Sequence, residues 1–296
     1  MKKLLLAGFA VSALIAPAIA ADMPVPAAPV ATWTGFYVGA NAGYGLSTNS
    51  SVNSVGLPNN CTDLAVAACT GSAFNPVNTY GLASAQAATF KTPTSRQGGV
   101  LYGGQFGYNY QIGTNSVIGL EADLQGVTGS NHSTTFGSVT PVTGFPANPI
   151  VQTATVGTKL DFLGTIRARA GYLWTPEFLL YITGGLAYGE TEVSSSITQN
   201  VAGGAPFFTP YTAAGSSSTV RFGGAIGAGF EWMLARNWSV RGEYLYVGLD
   251  SRGAASLNTN LINVDHVFGG SLSSVNVLTS ARFNENIARG AVNYHF

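Results

Sequence analysis

The amino-acid sequence predicts an all-β fold, an eight-stranded antiparallel barrel, and three observations support this fold class. Eight segments alternate apolar side chains with small or polar ones, which is the two-residue period of a β-strand. Their connections are alternately short and long, as in a chain that runs up and down around a barrel. Charged residues make up only 9% of the 296 residues, and 38 residues are glycine. A chain this apolar either encloses its apolar faces in a core or exposes them to lipid.

The first four strands are justified by their alternation. The first, WTGFYVGANAGYG (residues 33–45), has aromatic and aliphatic side chains on one face and mainly glycine and asparagine on the other. The second, GVLYGGQFGYNYQI (99–112), alternates aromatic residues with Gln and Asn. In the third, VIGLEADLQG (117–126), two carboxylates oppose leucine and isoleucine, and in the fourth, KLDFLGTIRARAGYLW (159–174), two arginines do so.

The last four strands repeat the pattern. FLLYITGGLAYGE (178–190) and VRFGGAIGAGFEW (220–232) place leucine, isoleucine and phenylalanine opposite small residues and single charges. WSVRGEYLYVG (238–248) and NIARGAVNYHF (286–296) place tyrosine and valine opposite arginine, glutamate and asparagine. In all of them one face is apolar and the other is small or polar.

The connections predict the two ends of the barrel. Short turns are expected near residues 113–115, 175–177 and 235–237. The other links are rich in Ser, Thr, Asn and Gly, and we expect them to be four long polar loops at residues 47–96, 127–158, 191–219 and 249–281. Short periplasmic turns and long extracellular loops are typical of barrels that span an outer membrane.

The two ends of the chain divide it into three parts. Residues 1–20 carry Lys2 and Lys3, a short apolar run and small residues at Ala18 and Ala20, which predicts a secretory signal peptide cleaved before Ala21. Residues 21–32 form a Pro- and Ala-rich periplasmic lead, and residues 33–296 form the barrel domain. Cleavage leaves 11 basic against 13 acidic residues, because two of the 13 basic residues lie in the signal peptide.

The apolar face of the strands is predicted to contact lipid. A soluble barrel would carry Lys and Glu outside, whereas here the polar face holds the charges and glycines, and the narrow interior of eight strands has no room for rings of tyrosine. Phe36, Val38 and Tyr44 are therefore assigned to the lipid. Aromatic residues near strand ends suit interfacial girdles, with scattered core aromatics as the alternative: Trp33, Tyr172, Trp174, Phe178, Trp232 and Trp238.

The charges on the polar face are predicted to pair inside the lumen, because a charge away from water persists only when it is paired. We expect Glu121 and Asp123 to lie beside Arg167 and Arg169, Arg221 with Glu231, and Arg241 with Glu243. The alternative is that these groups are solvated without fixed partners. The full lumen charge ladder comprises Glu121, Asp123, Arg167, Arg169, Arg221, Glu231, Arg241, Glu243 and Arg289.

Other reactive residues give weaker signals. Cys61 and Cys69 follow a secretion signal, so a disulfide between them is expected, with two free thiols as the alternative. His132 and His266 lie in different predicted loops; His266 follows Asp265, but adjacent residues of an extended loop point apart, so we expect no catalytic dyad. We expect no cofactor or metal site, and the charge balance gives no basic surface for nucleic acid.

The two ends of the barrel domain carry a family likeness. The start WTGFYVGANAGYG, the signal peptide and the end GAVNYHF resemble small outer-membrane β-barrel proteins of Gram-negative bacteria, in particular the OmpA-like porin family of outer-membrane immunogenic proteins. The resemblance implies that the barrel assembly machinery reads Phe296, Tyr294 and Val292. Since nothing follows Phe296, we expect no peptidoglycan-binding domain of the kind that full-length OmpA has.

These features lead to one functional prediction and two alternatives. We expect a non-enzymatic protein of the bacterial outer membrane, surrounded by lipid, with a structural and surface-exposed role in envelope integrity or recognition of an unidentified external ligand. A narrow passive porin for small solutes is the first alternative, although water-filled porins have about 16 strands. An outer-membrane enzyme is the second, and it needs a nucleophile and a base within hydrogen-bond reach.

Overall fold

A computed structural model describes seven ranges of the chain. The predicted signal peptide, residues 21–31 of the lead, and Cys61 and Cys69 lie outside them, so those predictions remain untested. The described ranges are residues 32–47, 51–58, 76–93, 98–203, 210–249, 257–264 and 272–296.

The polar and apolar alternation produces a closed ring of antiparallel strands. Each strand of the ring pairs with two neighbours, and the last strand of the chain pairs with the first. The antiparallel barrel predicted from the sequence is therefore present. In order around the ring, the strands are β1 (Gly35–Ser47), β4 (Gly98–Ile112), β5 (Ser116–Thr128), β7 (Phe145–Thr175), β8 (Phe178–Val201), β9 (Tyr211–Ala235), β10 (Trp238–Leu249) and β13 (Phe283–His295).

Three tight turns join neighbouring strands at one end of the ring, at the predicted positions. They connect β4 to β5, β7 to β8, and β9 to β10. Gly113 opens the first turn with a φ of +64°, a left-handed conformation that glycine adopts without strain. We call this end, where β1 also begins and β13 ends, the short-turn end.

The connections at the opposite end are long, as predicted, but much of their described length is β-strand and not polar loop. β7, β8 and β9 continue well beyond the barrel and pair with one another there, as Ile150 with Val201 and Gln199 with Tyr211 show. The sequence analysis assigned the Ser and Thr residues of these connections to loops, although β-branched threonine also suits strands. Further elements complete this region, which we call the head: β2 (Ser51–Pro58), α1 (Pro76–Ala88), β3 (Phe90–Pro93), β6 (His132–Val142), β11 (Leu257–Val264) and β12 (Leu272–Ala281).

The head has its own core around helix α1. Ala85 and Ala88 of the helix pack with side chains of the surrounding sheet, such as Ile197 and Val275. Gln199 donates through Nε2 to the Ser84 carbonyl (3.0 Å) and to Gln152 Oε1 (2.7 Å), which fixes the helix to β7 and β8. No helix within the described ranges is long and apolar enough to cross a bilayer.

The outward face of the ring is apolar along all eight strands. Phe36, Val38 and Tyr44 are exposed, as predicted, and so is Phe106 at the middle of β4. Closure leaves no strand edge in hydrocarbon, so the backbone groups of the ring are paired within the protein. The sheet thus presents a continuous hydrophobic belt to lipid.

The aromatic girdle at the short-turn end is confirmed for four of the six side chains assigned to it. Trp174, Trp232, Trp238 and Tyr172 are exposed, and Phe178 is half-buried. The assignment of Trp33 to the girdle is wrong, because its side chain is fully buried and donates through Nε1 to the Pro176 carbonyl at 2.9 Å. The chain entering β1 turns this indole across the opening of the barrel, so it closes the lumen.

The depth of the lipid belt can be tested by placing a charge on it. Phe106→Arg, at the middle of the belt, is expected to cost about 2 to 4 kcal/mol of unfolding free energy. Trp174→Arg, at the short-turn interface, is expected to cost about 1 kcal/mol or less. Equilibrium unfolding from lipid vesicles compares the two variants. Equal costs would show that Phe106 does not lie in hydrocarbon.

Candidate functional site

The inward face of the ring assembles four carboxylates and four guanidiniums in one cluster, which we call the lumen charge network. Their side chains are at most 3% exposed. Of the ring strands from β5 to β13, all except β8 contribute charged members, which come from alternate positions that face the lumen. The network comprises Glu121, Asp123, Arg167, Arg169, Glu231, Arg241, Glu243 and Arg289.

Glu121 and Arg167 lie at the centre of the network. Arg167 donates through Nη2 to Glu121 (2.6 Å) and to Asp123 (2.9 Å), and through Nη1 to Glu243 (3.0 Å). Glu121 also accepts a hydrogen bond from Arg241. The predicted neighbourhood of Glu121, Asp123 and Arg167 is therefore observed in the structure.

Two further carboxylates complete the charge balance. Glu231 accepts from Arg169 Nη2 at 2.8 Å and from Arg241 Nη2 at 3.2 Å. Glu243 lies 2.7 Å from Arg289 Nη2, and that guanidinium also contacts Asp123 at 2.9 Å. Each charge is thus shared among several opposite charges from different strands, which compensates for its removal from water.

Two predicted pairs are wrong. Arg241 contacts Glu121 and Glu231 instead of Glu243, because β10 places Arg241 and Glu243 at successive lumenal levels. Arg221 lies apart from the network at the head end of β9. It donates to the Ala281 carbonyl at 2.7 Å and stacks on Phe283, and no carboxylate of the described residues pairs with it.

Two tyrosines lie in the lumen and belong to the site, although the sequence analysis judged the lumen too narrow for rings of tyrosine. The Tyr37 hydroxyl donates to Glu121 (2.5 Å), and the Tyr181 hydroxyl donates to Glu243 (2.8 Å). Glycine makes room for them, because a β-carbon at Gly229 would lie 2.6 Å from the Tyr181 hydroxyl. Their signal was their position on the lumenal face of otherwise glycine-rich strands.

Amides line the lumen beside the charges. Asn41 donates to Gln105 at 3.0 Å, and Gln105 donates to Asn293 at 2.6 Å. Asn293 in turn donates to Glu231 at 2.6 Å. This chain of hydrogen bonds joins β1, β4 and β13 to the network across the seam where the ring closes.

Apolar layers lie on both sides of the network. Toward the short-turn end, Trp33 packs with Val117, Leu173, Leu179 and Met233. Toward the head, the lumen is filled by a second apolar layer that includes Leu101, Leu163, Leu245 and Ile287. The charges are therefore enclosed between two hydrophobic layers.

One group of residues at the short-turn end has the composition of a hydrolase triad but not its geometry. Ser239 Oγ lies 2.9 Å from His295 Nε2 and donates to Glu231 at 2.6 Å. Glu231 also lies 3.4 Å from the same imidazole nitrogen, whereas a relay uses the two ring nitrogens for different partners. All three side chains are buried.

The remaining histidines do not form a second candidate site within the described residues. His132 begins β6 in the head, where it is half-buried. His266 and Asp265 lie outside the described residues, so the expectation about them is untested.

A closed ring with a lipid-facing belt and a filled, charge-balanced interior defines a membrane-spanning β-barrel. The family model described as the outer membrane protein beta-barrel domain matches residues 9–268. The chain therefore belongs to this family, and it is a protein of the bacterial outer membrane.

Curated relatives agree with this assignment. The chain is 28% identical to the 31 kDa outer-membrane immunogenic protein of Brucella melitensis biotype 1 over the full length of both chains. It is 31% identical to the 22 kDa outer membrane protein of Rhizobium leguminosarum bv. viciae over 153 residues, which are 51% of this chain and 54% of that relative.

Similar solved structures include OprG of Pseudomonas aeruginosa. The match is 12% identical with a TM-score of 0.32 and covers 89% of this chain and 97% of OprG. Neisserial surface protein A is 10% identical with a TM-score of 0.30, covering 89% of this chain and 98% of that one.

A double-mutant cycle tests whether the network is coupled. Glu121→Gln and Arg167→Met are each expected to cost about 3 to 5 kcal/mol, because each leaves the buried network with one uncompensated charge. The double variant should be milder than the sum, with a coupling of about 0.5 to 3 kcal/mol. Urea unfolding from lipid vesicles measures all three.

Arg221→Met with Glu231→Gln is the matched control, since both residues are buried but do not contact each other. Their effects should add to within about 0.5 kcal/mol. Additive effects in the Glu121 and Arg167 cycle would mean that these charges are solvated independently.

Proposed function

We propose that this protein is a closed, non-enzymatic barrel that anchors a folded head on the outside of the cell, with a structural and recognition role. The observation that carries the proposal is the continuous filling of the barrel axis. Trp33 and its neighbours fill the short-turn end, the charge network fills the middle, and leucine, isoleucine and valine side chains fill the level below the head.

The head supports a role at the surface. In outer-membrane barrels the short turns face the periplasm and the long connections face outward. Here those connections form a sheet that continues β7, β8 and β9 and encloses helix α1. The Brucella relative is named an immunogenic protein, and a folded exposed head agrees with the same property in this chain.

The end of β13 supports recognition by the barrel assembly machinery during biogenesis. Val292 and Phe296 are exposed on the lipid face, and the half-buried Tyr294 ring lies between Trp238 (5.2 Å) and Phe296 (5.3 Å). These alternate side chains form an apolar row at the terminus of the strand that closes the ring.

A narrow porin is the second candidate function, and planar-bilayer recording separates the two. The refolded protein is expected to give no steady conductance, because a small ion would have to cross two apolar layers and displace paired charges. A water-filled porin added to the same bilayer serves as the positive control. A steady, large conductance from this protein would contradict the closed barrel.

Epitope tags test the orientation of the head. A tag inserted after Thr143, in the turn between β6 and β7, is expected to bind antibody on intact cells. A tag inserted after Thr114, in the turn between β4 and β5, should bind only after the outer membrane is permeabilised. The opposite result would place the head in the periplasm and overturn its proposed role.

A further inference from the structure

One edge of strand β6 in the head pairs with no other described strand. The strand pairs with β7 from His132 to Val142, and no other strand of the described residues pairs with it. Alternate backbone N–H and C=O groups of a strand point to each side, so half of those in β6 point away from β7. A row of unpaired backbone groups is a template for another strand.

The sequence of β6 does little to prevent such pairing. Natural edge strands are usually short, charged, bulged or interrupted by proline. The 11 residues HSTTFGSVTPV contain no Lys, Arg, Asp or Glu. Their one proline, Pro141, and the irregularity in the pairing with β7 between Thr140 and Val142 both lie near the end of the strand. By contrast, β3 across the gap has only four residues, including Lys91 and Pro93.

A cavity of about 350 Å³ lies beside this edge, between β6, β3 and the end of helix α1. Its lining combines apolar and polar side chains. The ring centroids of Phe90 and Phe136 lie 4.4 Å apart there. Thr89, Gln86 and Ser138 add polar groups to the lining. The Ser138 hydroxyl oxygen is buried and has no hydrogen-bond partner among the described residues.

We propose that β6 binds an extended polypeptide segment of a partner protein by strand addition, with alternate side chains of that segment entering the cavity. The edge supplies backbone hydrogen bonds and the cavity selects side chains, as in other binding by β-augmentation. Among the described residues of the cavity lining, Lys91 is the only charged one, so the segment carries a carboxylate and not an ammonium group at that end. This inference rests on the proposed surface role and names its ligand class.

A second copy of this chain fits the edge less well. Two barrels in one membrane share the direction of their axes, so two β6 strands related by a two-fold axis along the membrane normal would run parallel. Parallel pairs are slightly less stable per residue than antiparallel ones. A partner segment has no such constraint and can add antiparallel.

The test uses a synthetic peptide, IVQTATVGTDD, and the barrel in nanodiscs that hold one copy. Its first nine residues are those of residues 150–158, which already pair with β6 antiparallel through its other edge. Two analogues carry N-methyl groups on the odd or the even amides. Fluorescence anisotropy is expected to show saturable binding of the parent and at least about tenfold weaker binding of one analogue, since loss of edge hydrogen bonds costs more than 1.4 kcal/mol.

Protein variants locate the site. Ser138→Lys, in the cavity, should weaken binding at least about tenfold, whereas Val139→Lys, on the opposite face of the same strand and 65% exposed, should change it less than about twofold. A control peptide with Lys-Lys in place of the terminal Asp-Asp should bind more weakly than the parent peptide. Lys91→Gln should reduce this difference in affinity. Heat-modifiable electrophoretic mobility checks that all variants fold.

Several results would overturn the proposal. These are no saturable binding, equal binding of both N-methylated analogues, or an equal effect of Val139→Lys and Ser138→Lys. Pairing of two barrels in larger nanodiscs that Ser138→Lys abolishes would make a second copy the occupant. Binding of an oligosaccharide in competition with the peptide, insensitive to N-methylation, would assign the cavity to sugars. The conductance and epitope results do not depend on whether β6 binds a peptide, so the proposed function can stand if this inference fails.

Discussion

Closure of the ring by the pairing of β13 with β1 is the constraint on which the rest of the structure depends. In hydrocarbon an unpaired backbone group has no water to bond, so the sheet must have no edge. The register that closes it places Tyr37 opposite His295 and Gly43 opposite Arg289. A shift of β13 by one residue would turn the side chain of Arg289 from the lumen toward lipid. The closure therefore also determines which side chains meet inside.

The interior of the closed ring has to be filled, and its charges have to balance. Four arginines face four carboxylates, and Arg167 and Glu121 each contact more than one opposite charge. Such a shared network tolerates burial better than isolated pairs, because the charges have several partners and additional hydrogen bonds. Lumenal glycines are part of the same packing, since a β-carbon at Gly43 would lie 2.5 Å from the Arg289 β-carbon.

Outside the membrane belt the constraint changes, because water can satisfy strand edges. β7, β8 and β9 continue into the head, and within the described part of the chain the sheet there ends in the edges of β6 and β3. Helix α1 fills the interior of the head, as the charge network fills the interior of the barrel. Small side chains of the helix, such as Ala85 and Ser84, pack against the sheet. The same strands thus serve both as a sealed wall in lipid and as an open sheet in water.

The sequence by itself determined the barrel, its turns and its two faces, because side chains alternate every two residues whatever the surroundings. It identified eight of the nine ladder residues as neighbours in one lumen, since their position on the inward face follows from that alternation alone. Only the tertiary structure decided the partners: Arg241 with Glu121 and not Glu243, and Arg221 outside the network. The ion-pair partner of each charge depends on how the strands are staggered around the ring, and the sequence of a single strand does not determine this stagger. Tertiary contacts also decided the burial of Trp33 in the barrel opening and the folding of the head. The local sequence does not show whether an aromatic, serine or threonine side chain will be buried by another part of the chain.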